Sequence, residues 1–317
     1  MREFLIFSLL IYGSLFTGYG IQRLFSRSSS RAPLLNRILI LLSDSPTMLL
    51  IYWSISWTNF VAGLRIGLIP LFLGVLLGAA AFGAARLKKF ERQRTGVYIV
   101  AAMVSNNGMT LGGFLCLLLL GTEGLKYSQM YVLYMVPFIY IVVFSIGRIF
   151  SVPSGERFTQ VLKAIAANSF TLIPLACVAT GIILSNREIA FPAFLDVPKT
   201  ILVYVSAGGY SFSFGLTLDF KDLVKNIRAS LPLLLLKYFL GPAAGALFAV
   251  VLGFSLRANP TAFKVIVIQA VMPVALLSVV IARLNNLGDR FAVSLWLINT
   301  LSTALIFPLL WVFVRYV

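Results

Sequence analysis

Residues 96–121 read Gly-Val-Tyr-Ile-Val-Ala-Ala-Met-Val-Ser-Asn-Asn-Gly-Met-Thr-Leu-Gly-Gly-Phe-Leu-Cys-Leu-Leu-Leu-Leu-Gly. Crossing a bilayer takes roughly 20 mostly apolar residues, and this stretch is long enough. Its centre nevertheless holds Ser105, Asn106, Asn107, Gly108, Gly112 and Gly113. Hydrocarbon offers a backbone no hydrogen-bond partner, so a polar, glycine-broken centre must face protein or a water-filled cavity. The stretch therefore predicts two half-helices joined by a polar break, the kind of place where membrane carriers hold their substrate.

The rest of the chain is of the same kind. It has 317 residues, of which 60% are hydrophobic, and its mean hydropathy is +0.96. Those values belong to integral membrane proteins. Further apolar runs extend the reading to about ten spans, near 4–22, 34–57, 61–85, 96–120, 127–150, 161–184, 197–217, 229–254, 261–284 and 289–316. The connections are short and leave no room for a soluble domain. Arg2 precedes the first apolar run, which continues to Tyr19 and Gln22 without a small-residue cleavage pattern, so a retained helix is expected.

A net charge of +16 raises the question of nucleic acid. The charge is distributed by loop instead. Arg23, Arg27, Arg31 and Arg37 follow the first span; Arg86, Lys88, Lys89, Arg92 and Arg94 the third; Arg148, Arg157 and Lys163 the fifth. Lys221, Lys225 and Arg228 follow the seventh and Arg283 and Arg290 the ninth, so that 17 of the 26 basic residues lie on one side. By the positive-inside rule that side is cytoplasmic and both termini lie across the plasma (inner) membrane from it. The basic excess suits anionic lipid and gives no nucleic-acid face. Cys116 and Cys177 fall inside spans and read as buried apolar groups. There is no histidine, which removes histidine triads, relays and metal sites, and no Gly-x-x-x-x-Gly-Lys-Ser/Thr phosphate loop. Only Asp44 lies deep in a span, whereas an intramembrane aspartyl protease needs two such residues. Neither an enzyme nor a cofactor or metal is expected.

Ten spans with both termini on one side divide into 1–150 and 159–317, joined by a cytoplasmic linker at 151–158, Ser-Val-Pro-Ser-Gly-Glu-Arg-Phe. Five crossings per half would make the second half an inverted repeat of the first, a recurring carrier plan. Span nine, with Gln269, Met272, Pro273 and Ser278, is the counterpart of span four. Proline removes a backbone donor and clashes with the preceding turn, so this helix should break as well. Pro70-x-x-x-Gly74-x-x-x-Gly78 and Gly241-Pro242-x-x-Gly245 read as close-packing motifs in spans three and eight.

The run Ser105-Asn-Asn-Gly-Met-Thr-Leu-Gly-Gly-Phe114, followed by Gly121-Thr-Glu-Gly124-Leu125 and Tyr131, resembles helices four and five of the auxin efflux carrier family. That family includes plant PIN-type carriers and bacterial malonate- or malate-type permeases. Leu236-Lys237-Tyr-Phe-Leu-Gly-Pro242 resembles its Lys-x-x-x-x-Pro stretch, Met272-Pro273 with Ile281-Ala282-Arg283 its ninth helix, and Thr300-Leu-Ser302 with Pro308 its tenth. Leu35-Asn36-Arg37 with Pro46 resembles the start of its second. The resemblance implies an all-α fold of ten helices in two inverted repeats, with helices four and nine broken where they cross. It also implies a scaffold bundle that often forms homodimers, a mobile transport bundle, and an organic anion as substrate. A similar crossover plan occurs in the bile acid:sodium symporter fold. The chain departs from the pattern where Gly112, Gly113 and Phe114 replace the proline of helix four, where Asp44 precedes Pro46, and where Ala167-Asn168-Ser169 replaces Asn-Pro.

These readings select Ser105, Asn106, Asn107, Gly108, Gln269, Met272, Pro273 and Ser278 as the substrate-binding set. Helix breaks are expected at Pro46, Gly112, Gly113 and Pro273. Asn107 and Asn106 either hold a carboxylate or cap the half-helix ends. An unpaired Asp44 in mid-span would cost at least ~2.5–3.5 kcal/mol, so it calls for a partner, a proton or water. It is either a site coupling H+ or Na+ or a cap at Pro46. Lys237 either snorkels to the interface, attracts the anion, or pairs with Asp44. The expected activity is secondary, alternating-access efflux of a small organic anion. The rivals are a sodium- or proton-coupled symporter of the bile-acid type and a transport-inactive membrane sensor.

Overall fold

Proline and glycine positions decide where the apolar runs bend, and the computed structural model follows them closely. It describes residues 2–25, 28–56, 63–108, 111–151, 169–218 and 223–317. The 152–158 part of the expected linker with Arg157, and Arg27, Lys163, Lys221 and the Ala167-Asn168 pair, lie outside these residues. Helices make up the described chain: α1 (2–24), α2 (Ala32–Trp53), α3 (Ile66–Leu87), α4 (Arg92–Met103), α5 (Gly112–Val132), α6 (135–150), α7 (Ser169–Asn186), α8 (Asp196–Gly215), α9 (Leu223–Val251), α10 (Pro260–Ala270), α11 (Leu277–Leu284) and α12 (Asp289–Tyr316).

Among the described residues five helices are long and apolar enough to cross a membrane, Leu5–Leu24, Ala32–Trp53, Ile66–Leu87, Leu223–Val251 and Arg290–Tyr316. Ile141–Phe150, Leu172–Asn186 and Pro260–Ala270 are shorter apolar helices. The chain is thus a multi-pass, all-α membrane protein. Expected spans four and nine fall short because each is divided, into α4 and the start of α5, and into α10 and α11.

Two prolines each follow a π-turn. Ile40–Asp44 precedes Ser45-Pro46, and Leu236–Leu240 precedes Gly241-Pro242. In both, the residue before the proline donates its N–H five residues back, to Ile40 O and Leu236 O. The widened turn relieves the clash that a proline ring makes with the preceding turn. Ser45 Oγ also donates to Ile40 O at 2.6 Å and Thr47 Oγ1 to Ser43 O at 2.6 Å, so side chains help to satisfy the disturbed ladder. Asp44 and Lys237 each sit in one of these turns.

The chain forms two compact units, each drawing on both halves of the sequence. The first comprises Met1–Gly63, Gly108–Gln129 and Thr159–Leu218. Within it α1 and α8 cross at glycines. A Cβ on Gly18 would lie 2.2 Å from Phe212 O, and one on Gly215 only 2.1 Å from Leu15 O. Tyr52 Oη donates to Gln129 O at 2.9 Å and Trp53 Nε1 to Ile189 O at 2.7 Å, tying α2 to α5 and to the loop after α7.

The second unit comprises Leu64–Asn107, Met130–Phe158 and Asp219–Val317. Here the small residues of α3 and α9 receive neighbours closely. Gly74 meets the Phe138 ring and Gly78 meets Met103, while Gly241 and Gly245 meet Ala270 on α10. Tyr98, Trp296 and Phe307 are fully buried in its core. Tyr238 Oη donates to Asn299 O at 2.5 Å and Asn226 Nδ2 to Ser294 Oγ at 3.0 Å, fixing α9 to α12.

Candidate functional site

Two helix interruptions meet inside the second unit. α4 ends at Met103 and Val104 turns extended, at φ −111° and ψ 129°. α10 ends at Ala270, and the chain runs through Met272 and Pro273 before α11 begins at Leu277. The interruptions pair as a short antiparallel bridge between Ser105 and Val274. Asn106 N–H donates to Pro273 O at 2.8 Å, and Ala275 N–H donates to Val104 O at 3.2 Å. Each break thereby satisfies backbone groups that the other exposes, which is how non-helical chain survives at membrane depth. Pro273 has no N–H with which to continue α10, and the residue before a proline is steered from helix towards extended backbone.

Lys237 enters this crossing from α9. It is fully buried, and its Nζ donates to Ala102 O at 2.7 Å, Val104 O at 3.2 Å and Ser105 Oγ at 2.8 Å. An ammonium has three donors, and here it finds three oxygens. Two of them belong to the C-terminal end of α4, where unpaired carbonyls carry partial negative charge and favour a cation. Among the described residues no carboxylate lies within ion-pair distance of Lys237. The side chain is spent on the break itself.

Asn107 is 5% exposed and its Oδ1 has no hydrogen-bond partner among the described residues. With Ser105, Leu73, Leu77, Tyr131 and Met135 it lines a cavity of about 10 Å3, enough for one water. Gln269 and Met272 are fully buried beside the break. Ser278 Oγ is occupied within its own turn, donating to Ala275 O at 2.8 Å.

The second unit thus gathers Ser105, Asn106, Asn107, Gln269, Met272, Pro273, Ser278 and Lys237. Gly108, Gly112 and Gly113 belong to the first unit. There Gly113 N–H donates to Gly108 O at 2.9 Å, and Gly112 and Gly113 open α5 instead of breaking a helix. The conformational break in α5 is Gly121, at φ +69°. Asp44 and Pro46 also lie in the first unit; Ser206 Oγ and Tyr210 Oη reach the two Asp44 oxygens at 2.5 and 2.7 Å. Sequence reasoning missed Ser206 and the Ala102 and Val104 carbonyls. Only the spacing of Ser206 and Tyr210 by one helical turn hinted at a shared polar face.

A family model described as membrane transport protein matches residues 149–311. The chain belongs to that family. The match runs from the end of α6 into α12 and so includes Lys237 and the Met272-Pro273 break. This family is the one of the auxin efflux carriers, in agreement with the motifs quoted above. An uncharacterized transporter of Methanothermobacter thermautotrophicus is 25% identical over 295 residues, covering 92% of each chain. The membrane transport protein is therefore a transporter and not an enzyme.

Proposed function

We propose that this transporter is a secondary carrier that exports a small organic anion by alternating access. The observation that carries the reading is the meeting of the two interruptions with Lys237 bound at the C-terminal end of α4. A fixed cation with no carboxylate beside it makes the break attractive to an anion. The buried Asn107 amide is a polar group that holds a carboxylate without adding charge, so substrate can also leave. Export of an anion is driven by an inside-negative potential, which supplies ~2.3 kcal/mol per charge per 100 mV before any coupled ion contributes. The ammonium already occupies the oxygens that a sodium ion would seek at this helix end, which argues against the sodium-symporter reading.

The wider architecture belongs to the same proposal. Residues 1–150 and 159–317 form two inverted five-helix repeats around the 151–158 linker, with both termini outside the cytoplasm of the cell that carries the protein in its plasma membrane. The unit holding α1, α2, α7 and α8 serves as the scaffold and offers a face to a second copy. The other unit moves.

The test is current from proteoliposomes on a solid-supported membrane, with a panel of mono- and dicarboxylates and indole acids, with and without sodium and proton gradients. A saturable current is expected for at least one acid. Removing the Asn107 amide takes away a hydrogen bond to a charged group, worth ~1.5–3 kcal/mol, so Asn107→Ala should weaken apparent affinity by about tenfold or more. Folded protein that gives neither current nor labelled-substrate counterflow for any acid would overturn the carrier reading in favour of a transport-inactive sensor.

A further inference from the structure

Asp44 lies within α2, in the first unit, and among the described residues no lysine or arginine is within ion-pair distance of it. Its carboxyl group is met by hydroxyls. Tyr210 Oη donates to Oδ2 at 2.7 Å, and Ser206 Oγ lies 2.5 Å from Oδ1. The chain of oxygens continues. Ser206 Oγ is 2.8 Å from Ser43 Oγ, which donates to the Leu202 carbonyl at 2.8 Å.

Each of these four contacts joins two oxygens, and each needs one hydrogen between them. The carbonyl supplies none, and each hydroxyl supplies one. With Asp44 ionised, the hydroxyls of Ser43, Ser206 and Tyr210 provide one hydrogen too few. With a hydrogen on Asp44 Oδ1 the chain closes. Asp44 then donates to Ser206, Ser206 to Ser43, Ser43 to Leu202 O, and Tyr210 donates to the free Oδ2.

We propose that Asp44, Ser206, Ser43 and Tyr210 form a proton-binding site within the first unit, with one hydrogen ion held on Asp44. This rests in part on the carrier reading, which it deepens by making H+ the ion exchanged with substrate. The elements packed against the Asp44 turn are α7 and α8. Their other titratable side chains are Cys177 on α7 and Asp196, Lys199 and Tyr204 on α8, with Arg37 and Tyr52 on α2 itself. Lys199 Nζ is 2.6 Å from Asp196 Oδ1, so those two charges answer each other. Tyr204 stacks edge-on against Phe114, at 5.3 Å between ring centroids. Loss of the proton removes one hydrogen bond from a chain that links α2 to α8, so occupancy of the site is coupled to how tightly those helices are held.

Infrared difference spectroscopy on the whole protein in nanodiscs, across a pH series and in H2O against D2O, reads the site directly. The expected result is a carboxylic-acid carbonyl band at neutral pH that shifts on deuteration and is absent from Asp44→Asn. The asparagine amide keeps the shape and donates in place of the carboxylic hydrogen, so this variant is expected to fold. No such band at neutral pH, or a band unchanged in Asp44→Asn, overturns the site. Ser206→Ala removes the acceptor of the Asp44 hydrogen; the band should move and titrate at a different pH, and an unmoved band overturns the hydroxyl chain. In proteoliposomes, substrate is expected to change the luminal pH with the wild type and not with Asp44→Asn; an equal response from both overturns the coupling. The infrared readout needs no substrate. A band without any acid-driven current would therefore leave the proton site standing while the carrier reading fell.

Discussion

Lys237 places three N–H donors where one helix break would otherwise leave carbonyls unpaired. Replacing it with methionine keeps much of the volume and strands Ala102 O and the Ser105 hydroxyl, while Val104 O keeps its bond from Ala275 N–H. Each buried acceptor left without a partner costs ~1–3 kcal/mol. Lys237→Met is expected to lower the unfolding midpoint in detergent and to abolish anion current, read by intrinsic fluorescence melting and by supported-membrane electrophysiology. Lys237→Arg should not rescue either property, because a planar guanidinium is broader than the ammonium that this fully buried position accommodates. A melt and a current equal to the wild type would refute the role given to the ammonium. The sequence showed a cation inside a span but left its destination open, since the reach of a lysine depends on which carbonyls the fold brings to it.

At the scale of the element, two glycine sites control how helices meet and bend. Gly215→Ala would place a methyl 2.1 Å from Leu15 O, so α1 and α8 must separate. Overpacking of this kind costs typically 1–3 kcal/mol. A drop of that size is expected in equilibrium unfolding in mixed micelles, while Gly20→Ala, which has nothing within 4 Å, should lose little by comparison. Gly121 holds φ +69° inside α5. With ψ −160° this is backbone that essentially only glycine adopts, and strain of this kind costs ~1–3 kcal/mol, so Gly121→Ala should destabilise the protein by about that amount or straighten the helix, and hydrogen exchange across 112–132 would show which. The polar centre of residues 96–121 was legible as an interruption. That residues 104–108 are non-helical, with Gly112 and Gly113 opening the next helix, and that the chain departs from helix again at Gly121, was not.

For the whole molecule, the loop charges make the most direct prediction. With most lysines and arginines on alternate loops, a cysteine introduced at Lys89 should react only with reagent on the cytoplasmic side, and one at Arg187 only with reagent on the other. The reverse labelling, or labelling of both from one side, would invert or dismantle the proposed topology. The two compact units are a different division from the two halves of the chain. Each collects segments from both halves, so a cut at the 151–158 linker separates neither unit intact.

The amino-acid sequence by itself determined that the chain lives in a membrane as a bundle of apolar helices, that spans four and nine are interrupted, and that Asp44 and Lys237 are charges in unfavourable surroundings. These follow from local causes: apolar length, glycine and proline backbone chemistry, and the cost of burying charge. Only the tertiary structure decided that the interruptions satisfy each other through Asn106, Pro273, Val104 and Ala275, that Lys237 ends on Ala102 and Val104, and that Asp44 meets Ser206 and Tyr210. Those pairings join groups distant in the chain, two of them through backbone carbonyls that every residue carries. No residue type marks such an acceptor in advance.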